Sequence, residues 1–201
     1  MLLALFACAP SAAMGESGAA RVTCDALDTS DPGPTSKDAL TTLLAAVRDE
    51  FYPELDGVSI TLGTLESDAD MFNSNLDYAT IGNPPMERDY IIKANPILLD
   101  DPPSLASTGA ILAHELKHTV DYTGMEAQEL AEFGAWYSTT DDFSAYERET
   151  DEHVLELGCG EYLSGYRTWL YAHVSEEVAA QKRHDYYTPE EIDAWIAEHS
   201  E

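Results

Sequence analysis

The residues best suited to chemistry lie in the segment 114–118, whose sequence is HELKH. Apolar residues recur at helical spacing from Leu105 to Val120 and no proline interrupts them, so the segment is predicted to be helical. On a helix, His114 and His118 lie one turn apart on one face, and both imidazoles can reach a single metal ion at about 2 Å. Glu115 points to the flank of that face, where its carboxylate can deprotonate a metal-bound water. The spacing therefore predicts a metal site with a general base beside it.

Two acidic residues downstream can complete this site. Glu147 and Asp151 are one helical turn apart, and Val154 and Leu155 continue the same face, which indicates that this face is buried. Buried carboxylates are costly unless a positive group meets them, and a metal ion with its histidine ligands is such a group. Glu147 is therefore predicted to be the third ligand, and Asp151 to accept a hydrogen bond from a ligand imidazole.

Asp121 offers an alternative third ligand, because it lies on the same helix face as the two histidines, one turn further along. Three ligands from one straight helix strain a tetrahedral site, so we expect Asp121 to be a hydrogen-bond acceptor beside the site or a helix-end residue. A developing oxyanion also needs a positioned O–H or N–H donor, for which Tyr162, Tyr166 and His173 are candidates. A packing role is the alternative for each of them.

The two motifs together resemble the gluzincin clan of zinc metallopeptidases, in which HExxH on one helix is followed by a glutamate and an aspartate on the next long helix. The sequence ERETD at 147–151 is similar to the E-x-x-A-D of minimal metallopeptidase domains in that clan, with Thr150 at the position where alanine is commoner. The likeness covers residues 88–160 and leaves out both termini.

The resemblance implies a zincin-like fold that hydrolyses peptide bonds in a peptide or protein substrate. It implies one zinc ion held by His114, His118 and Glu147, and it assigns Glu115 as the base. It also implies an edge strand that precedes the metal-bearing helix and lines the substrate cleft. Residues 88–99 form the segment expected to take that place.

Two other interpretations stay open at this point. The protein could be a zinc-retaining but non-hydrolytic exported lipoprotein with a binding or scaffold role. It could also be an envelope protein without a metal, in which Glu147 and Asp151 never approach the two histidines. The positions of these side chains test the metal-free interpretation, since zinc ligands gather within about 2.3 Å of the ion. Intact zinc without hydrolysis would instead favour the zinc-retaining interpretation.

The charge of the chain excludes one broad class of partner. There are 10 Lys plus Arg against 38 Asp plus Glu, for a formal net charge of -28. Such a surface repels nucleic-acid phosphates, so no nucleic-acid partner is expected. The acids are spread along the chain rather than gathered in a tail, which favours a solvated acidic surface over one that attracts basic substrates or cations. The sequence gives no indication of the oligomeric state.

Residues 1–36 are predicted to be a signal-like start followed by a flexible linker, and residues 37–201 to be a single domain. The start is apolar and rich in small residues, as in an exported protein. The run that ends at Cys8 resembles a bacterial lipobox, which implies lipidation and a membrane tether in the cell envelope; a cleaved signal and secretion are the alternative. Cys24 and Cys159 could form one disulfide in an oxidising compartment, and a buried thiol at Cys159 is the alternative, so the sequence leaves the pairing open.

The pattern along the chain predicts an α+β fold, with a small N-terminal sheet followed by a mostly helical half. Alternating residues predict strands at 58–62, 78–81 and 89–93. Apolar periodicity and capping residues predict helices at 37–51, 104–122, 126–138, 142–163, 165–183 and 189–198.

Overall fold

One helix precedes a three-stranded sheet and a mostly helical half follows the sheet, so the predicted α+β organisation is confirmed. The computed structural model describes residue 24, residues 32–140 and residues 142–200. The strands are β1 (Ser59–Thr64), β2 (Phe72–Leu76) and β3 (Asp89–Ala94). The helices are α1 (Lys37–Phe51), α2 (Ile97–Asp100), α3 (Leu105–Thr123), α4 (Ala127–Thr139), α5 (Ser144–Glu156), α6 (Gly160–His173), α7 (Glu176–Asp185) and α8 (Pro189–His199).

The sheet has the order β1-β3-β2, with β3 parallel to β1 and antiparallel to β2. The expectation that residues 88–99 form an edge strand is therefore wrong, because this segment contains the central strand. Tyr90, Ile92 and Ala94 of β3 are buried, and a strand with buried apolar residues gains most between two neighbours. The edge strand on the side of the candidate site is β2.

One predicted strand is absent and another was missed. Tyr78–Thr80 is a short 3-10 helix, in which the Asp77 carboxylate accepts a hydrogen bond from the backbone N–H of Ala79 at 3.0 Å. A capping aspartate favours such a turn over an extended strand. The strand β2 lies just before it and has the sequence FNSNL, whose asparagines disfavour a strand prediction.

Helix α3 crosses the core and carries the HELKH segment. Its residues are buried without a break from Ala106 to Leu116, since α1, α5, α6 and the sheet pack around it. The Tyr52 hydroxyl donates a hydrogen bond to the Ala113 carbonyl at 2.7 Å, which fixes α3 against the end of α1. A helix enclosed in this way holds its histidines in one orientation.

The predicted helix at 142–163 is wrong, because the chain turns between α5 and α6. Gly158 has a φ of 79°, a left-handed conformation that ends the helix and favours glycine. The predicted helix at 165–183 is also two elements, α6 and α7. The Ser175 hydroxyl caps α7 by accepting a hydrogen bond from the Val178 N–H at 3.3 Å.

The other four helix predictions are confirmed within one or two residues at each end. Ser36 caps α1, and Thr188 and Glu191 form a capping box at the start of α8. None of the described helices combines the length and the apolar character that a membrane span requires.

Cys24 and Cys159 form a disulfide, the first of the two possibilities that the sequence left open, and both cysteines are buried. It joins the segment before α1 to the start of α6. Gly33 also packs closely, since a Cβ atom there would meet the Pro103 carbonyl oxygen at 1.9 Å. Cys8 and its predicted lipidation lie outside the described residues.

Candidate metal centre

Three side-chain atoms from α3 and α5 converge in the core. The Nε2 atom of His114 lies 3.1 Å from Nε2 of His118 and 3.1 Å from Oε2 of Glu147. The Nε2 atom of His118 lies 3.3 Å from the same glutamate oxygen. Ligands at 2.0–2.1 Å from a tetrahedral zinc are about 3.3 Å apart, so this triangle has the size that a metal ion requires. Within the described part of the chain, no other group of His, Cys, Asp and Glu converges in this way.

Asp151 orients His114, as the sequence predicts. Its Oδ1 accepts a hydrogen bond from Nδ1 of His114 at 2.8 Å, which directs the Nε2 atom at the centre of the triangle. The same carboxylate binds the Arg167 guanidinium at 2.8 Å and the backbone N–H of Tyr187 at 3.0 Å. Asp151 and Arg167 are buried together, so each neutralises the other.

His118 is oriented by a tyrosine that the sequence reasoning missed. Nδ1 of His118 lies 2.9 Å from the Tyr146 hydroxyl, which itself donates to Oδ2 of Asp121 at 3.3 Å. The imidazole N–H therefore donates to the tyrosine oxygen, and Nε2 is again left for a metal. Asp121 also forms an ion pair with Lys117 and does not belong to the converging group. It acts on His118 only through Tyr146, which agrees with its expected place beside the site.

Glu147 is held by Tyr137 of α4, whose hydroxyl donates to Oε1 at 2.8 Å. This bond occupies one carboxylate oxygen and leaves Oε2 facing the two histidines. Glu147 lies in the first turn of α5, where the partial positive charge of the helix N-terminus favours a carboxylate. Tyr137 was missed because nothing in its local sequence relates it to α5.

The pKa shifts of His114 and Glu147 indicate that positive charge is favoured between them. Burial lowers the pKa of His114, but hydrogen bonds to Asp151 and Glu147 outweigh burial and raise the pKa to about 9. Burial raises the pKa of Glu147, but the charges of His118 and His114 outweigh it and bring the pKa well below its usual value. Positive charge at the centre of the triangle is therefore favourable.

Glu115 lies beside the triangle in the predicted position. It is buried and lines the same cavity as the three converging residues. Burial raises its pKa, and the charges of His114 and His118 oppose that rise. Among the described residues, no side chain forms a hydrogen bond to its carboxylate, so the group is available to a molecule in the cavity.

The cavity has a volume of about 330 Å³ and lies between the edge strand β2 and helix α4. All five residues of β2 line one wall, and rings from α3, α4 and the start of α5 line the other. A larger cavity of about 1090 Å³ lies on α5, α6 and α8, and none of the converging residues lines it. A molecule that approaches the three converging residues would therefore lie in the cavity of about 330 Å³ and not in the larger one.

The structure separates the three candidate oxyanion donors. Tyr162 lines the larger cavity, and His173 stacks on Trp169 and lies 3.0 Å from Oδ2 of Asp101. Tyr166 packs near Phe72 and only reaches a small cavity of about 30 Å³ beside the site.

A different tyrosine lies beside the three converging residues. The ring centre of Tyr186 lies 5.8 Å from the ring centre of His114. The guanidinium carbon of Arg167 lies 4.3 Å from the ring centre of Tyr186. Tyr186 lines the same cavity as Glu115 and Glu147. It follows α7 in a short connection that carries no motif, so the sequence offered no signal for it.

The geometry thus brings together His114, His118, Glu147 and Asp151, places Glu115 beside them, and keeps Asp121 at a distance. The resemblance to the gluzincin clan rests on the spacing of these residues alone. Comparisons of the chain with family models, with curated proteins and with solved structures gave no match.

Proposed function

We propose that the protein is a zinc-dependent metallopeptidase with a zincin-like arrangement of its site. The observation that supports this best is the triangle of His114, His118 and Glu147 atoms with the free Glu115 carboxylate beside it. Two imidazoles and one carboxylate are the ligand set of many catalytic zinc sites, which keep a further position for water or substrate. Zinc bound there supplies Lewis-acid chemistry that activates water and polarises a carbonyl.

The side chains of this chain then perform the proton transfers. Glu115 accepts a proton from the attacking water and delivers it to the leaving amine nitrogen. Its burial, which raises its pKa, favours holding that proton between the two steps. Tyr186, which lines the same cavity, donates its hydroxyl hydrogen to the developing oxyanion.

The edge strand β2 supplies a way to hold a peptide. In the described part of the chain, β2 pairs only with β3, so its other edge faces the cavity. An extended peptide can add to such an edge by main-chain hydrogen bonds, which places a peptide bond near the metal centre. This mode of binding accepts many sequences and leaves selectivity to side-chain subsites.

The proposal is tested by metal content and hydrolysis together. Purified wild type, Glu147→Ala and Glu115→Gln are analysed for zinc, and a mixture of blocked octapeptides is analysed for cleavage by mass spectrometry. We expect one zinc per chain in the wild type and in Glu115→Gln, loss of zinc in Glu147→Ala, and cleavage by the wild type alone. Glu149→Ala is the matched control, because Glu149 lies on the same helix but is exposed.

Absence of zinc from the wild type after zinc is supplied would contradict the proposal. Full zinc occupancy without cleavage of any peptide would instead indicate the non-hydrolytic binding or scaffold protein. Export and a lipid tether at Cys8 are part of the proposal, and labelling of expressing bacteria with a fatty-acid probe tests the tether.

A further inference from the structure

The cavity beside the metal centre is asymmetric along β2. At the end near Leu76 it is lined by apolar and aromatic side chains, which we call the aromatic subsite; these are Leu76, Tyr122, Leu130, Phe133, Tyr137 and Phe143. At the other end it meets Asp70, which precedes β2 and pairs with Lys182 at 2.6 Å. The two ends of the cavity therefore favour different chemical groups.

The aromatic subsite is continuous with the ligands. The Tyr137 hydroxyl donates to Glu147, and the Tyr122 ring lies nearly parallel to the His118 ring at 6.4 Å between centres. Phe133 lies 5.8 Å from Tyr122 and 6.0 Å from Tyr137 between ring centres. A group seated against these rings is therefore next to the bond that the metal centre would act on.

In the described part of the chain, no lysine or arginine lines the aromatic subsite. Among the described residues, Lys182 is the only lysine or arginine that lines any part of this cavity. A charged side chain placed among the rings would lose its hydration, and the attraction of a cation to the ring faces would offset only part of that loss. An apolar side chain would release water from the ring faces and pack against them. The chemistry of the walls therefore selects a bulky apolar group.

Gly134 gives this subsite its depth. It lies inside α4, where glycine is less favourable than alanine, and it lines the cavity. A Cβ atom added to Gly134 would meet no atom within 4 Å, so packing in the described protein does not require a glycine. The absent side chain leaves space that a larger residue would fill.

We propose that Gly134 is the specificity-determining residue of a subsite that receives a bulky apolar side chain, such as phenylalanine or leucine, from the peptide substrate. The inference rests on the proposed peptidase function and names its substrate class. The group enters between α4 and the end of β2, on the side of the metal centre away from Lys182.

The first test changes the depth of the subsite. Gly134→Leu is compared with Ala135→Leu, a matched control on an exposed position of the same helix. In the octapeptide mixture we expect the wild type to prefer Phe or Leu beside the cleaved bond. Gly134→Leu is expected to lower kcat/KM for those peptides about 10- to 100-fold and to shift the preference to Ala, while Gly134→Ala gives a smaller change. Ala135→Leu is expected to keep the wild-type preference.

A second test does not depend on hydrolysis. Zinc-loaded Glu115→Gln is titrated by calorimetry with blocked alanine pentapeptides that carry Phe, Leu or Lys at the central position. We expect binding of the Phe and Leu peptides, weak binding of the Lys peptide, and loss of Phe binding when Gly134→Leu is added.

The two tests distinguish failure of the proposed peptidase function from failure of the proposed apolar subsite. If the wild type cleaves nothing but the Phe peptide binds in a Gly134-dependent manner, the subsite stands and the peptidase proposal fails. If peptides are cleaved with no apolar preference, or with one that Gly134→Leu leaves unchanged, the subsite is overturned. If no peptide is cleaved or bound, both are overturned.

Discussion

Asp151 has three partners in the core: the His114 imidazole, the Arg167 guanidinium and the backbone N–H of Tyr187. Burial alone would raise the pKa of this carboxyl, but Arg167 and His114 lower it below its usual value. The residue is therefore charged in the folded protein, and it connects the metal centre to α6 and to the segment after α7.

Replacing Asp151 is expected to damage both stability and metal binding. Asp151→Ala leaves the buried Arg167 without its partner, which costs about 3–5 kcal/mol in the free energy of unfolding. It also frees the His114 ring, and loss of such an orienting group lowers metal affinity about 10- to 100-fold. Urea denaturation and zinc competition with a chelator measure the two effects. A change in stability without a change in zinc affinity would contradict the orienting role.

Zinc affinity is expected to increase with pH, because zinc must displace the proton from His114. The pKa of that imidazole is raised to about 9 in the metal-free protein, so the proton is present at neutral pH. Affinity should therefore rise about tenfold per pH unit between pH 6.5 and 8.5 and level off above 9. Chelator competition at several pH values checks this slope, and a flat profile would contradict it.

The raised pKa of His114 also makes the stability of the metal-free protein depend on pH. The pKa of His114 is 6.5 in an unfolded chain and about 9 when folded, so its protonation stabilises the folded state fully below pH 6.5. This contribution is lost as the pH rises through 9. The pKa values of Glu147 and Asp151 are lowered on folding, so their contribution is instead lost in acid.

At this scale the sequence predicted the two pairs that share a helix turn and their meeting across two helices, but it missed the side chains that orient them. His114 with His118, and Glu147 with Asp151, follow from the helical period. Tyr137, Tyr146 and Arg167 come from helices whose packing cannot be derived from local spacing.

At the scale of elements, predictions succeeded where a capping residue marks a boundary and failed where apolar periodicity ran across a break. Ser36 and Thr188 identify the starts of α1 and α8. The buried residues Val154 and Leu163 continue one apolar pattern across Gly158, which hides the turn between α5 and α6. Strand β2 was missed because its pairing with β3, rather than its own sequence, makes it extended.

The turn at Gly158 gives a prediction with a built-in control. Gly158→Ala forces a side chain into a left-handed conformation and is expected to lower the free energy of unfolding by about 1–2 kcal/mol. Gly134→Ala replaces a glycine inside a helix, where nothing opposes the new Cβ, and is expected to raise it by about 0.5–1 kcal/mol. Thermal unfolding of both variants measures the signs. Equal effects would show that the backbone at 158 does not require glycine.

At the scale of the whole molecule, one disulfide joins two distant parts of the chain. Cys24 and Cys159 are 135 residues apart, and Cys159 lies directly before α6. The bond therefore ties the segment before α1 to the helices that surround the metal centre. The number of cysteines suggested this pairing, but their spacing did not give the place of the bond in the fold.

Loss of the disulfide is expected to lower the free energy of unfolding by about 2–5 kcal/mol, since closing so long a loop restricts the unfolded chain strongly. The double variant Cys24→Ser and Cys159→Ser is compared with the wild type in urea, with and without reductant. We expect reductant to weaken the wild type and to leave the variant unchanged. An equal response of both proteins would contradict the prediction.

The hydrogen bond from the Tyr187 backbone to Asp151 affects how a newly made chain can acquire its metal. The two histidines and Glu147 are synthesised well before Tyr186 and Tyr187, which wall the cavity beside His114 and fix Asp151. Until the segment after α7 has left the ribosome and folded back onto Asp151, the His114 ring lacks its fixed orientation. A chain in which this segment has not yet folded back is thus expected to bind a metal ion less tightly than the complete fold does.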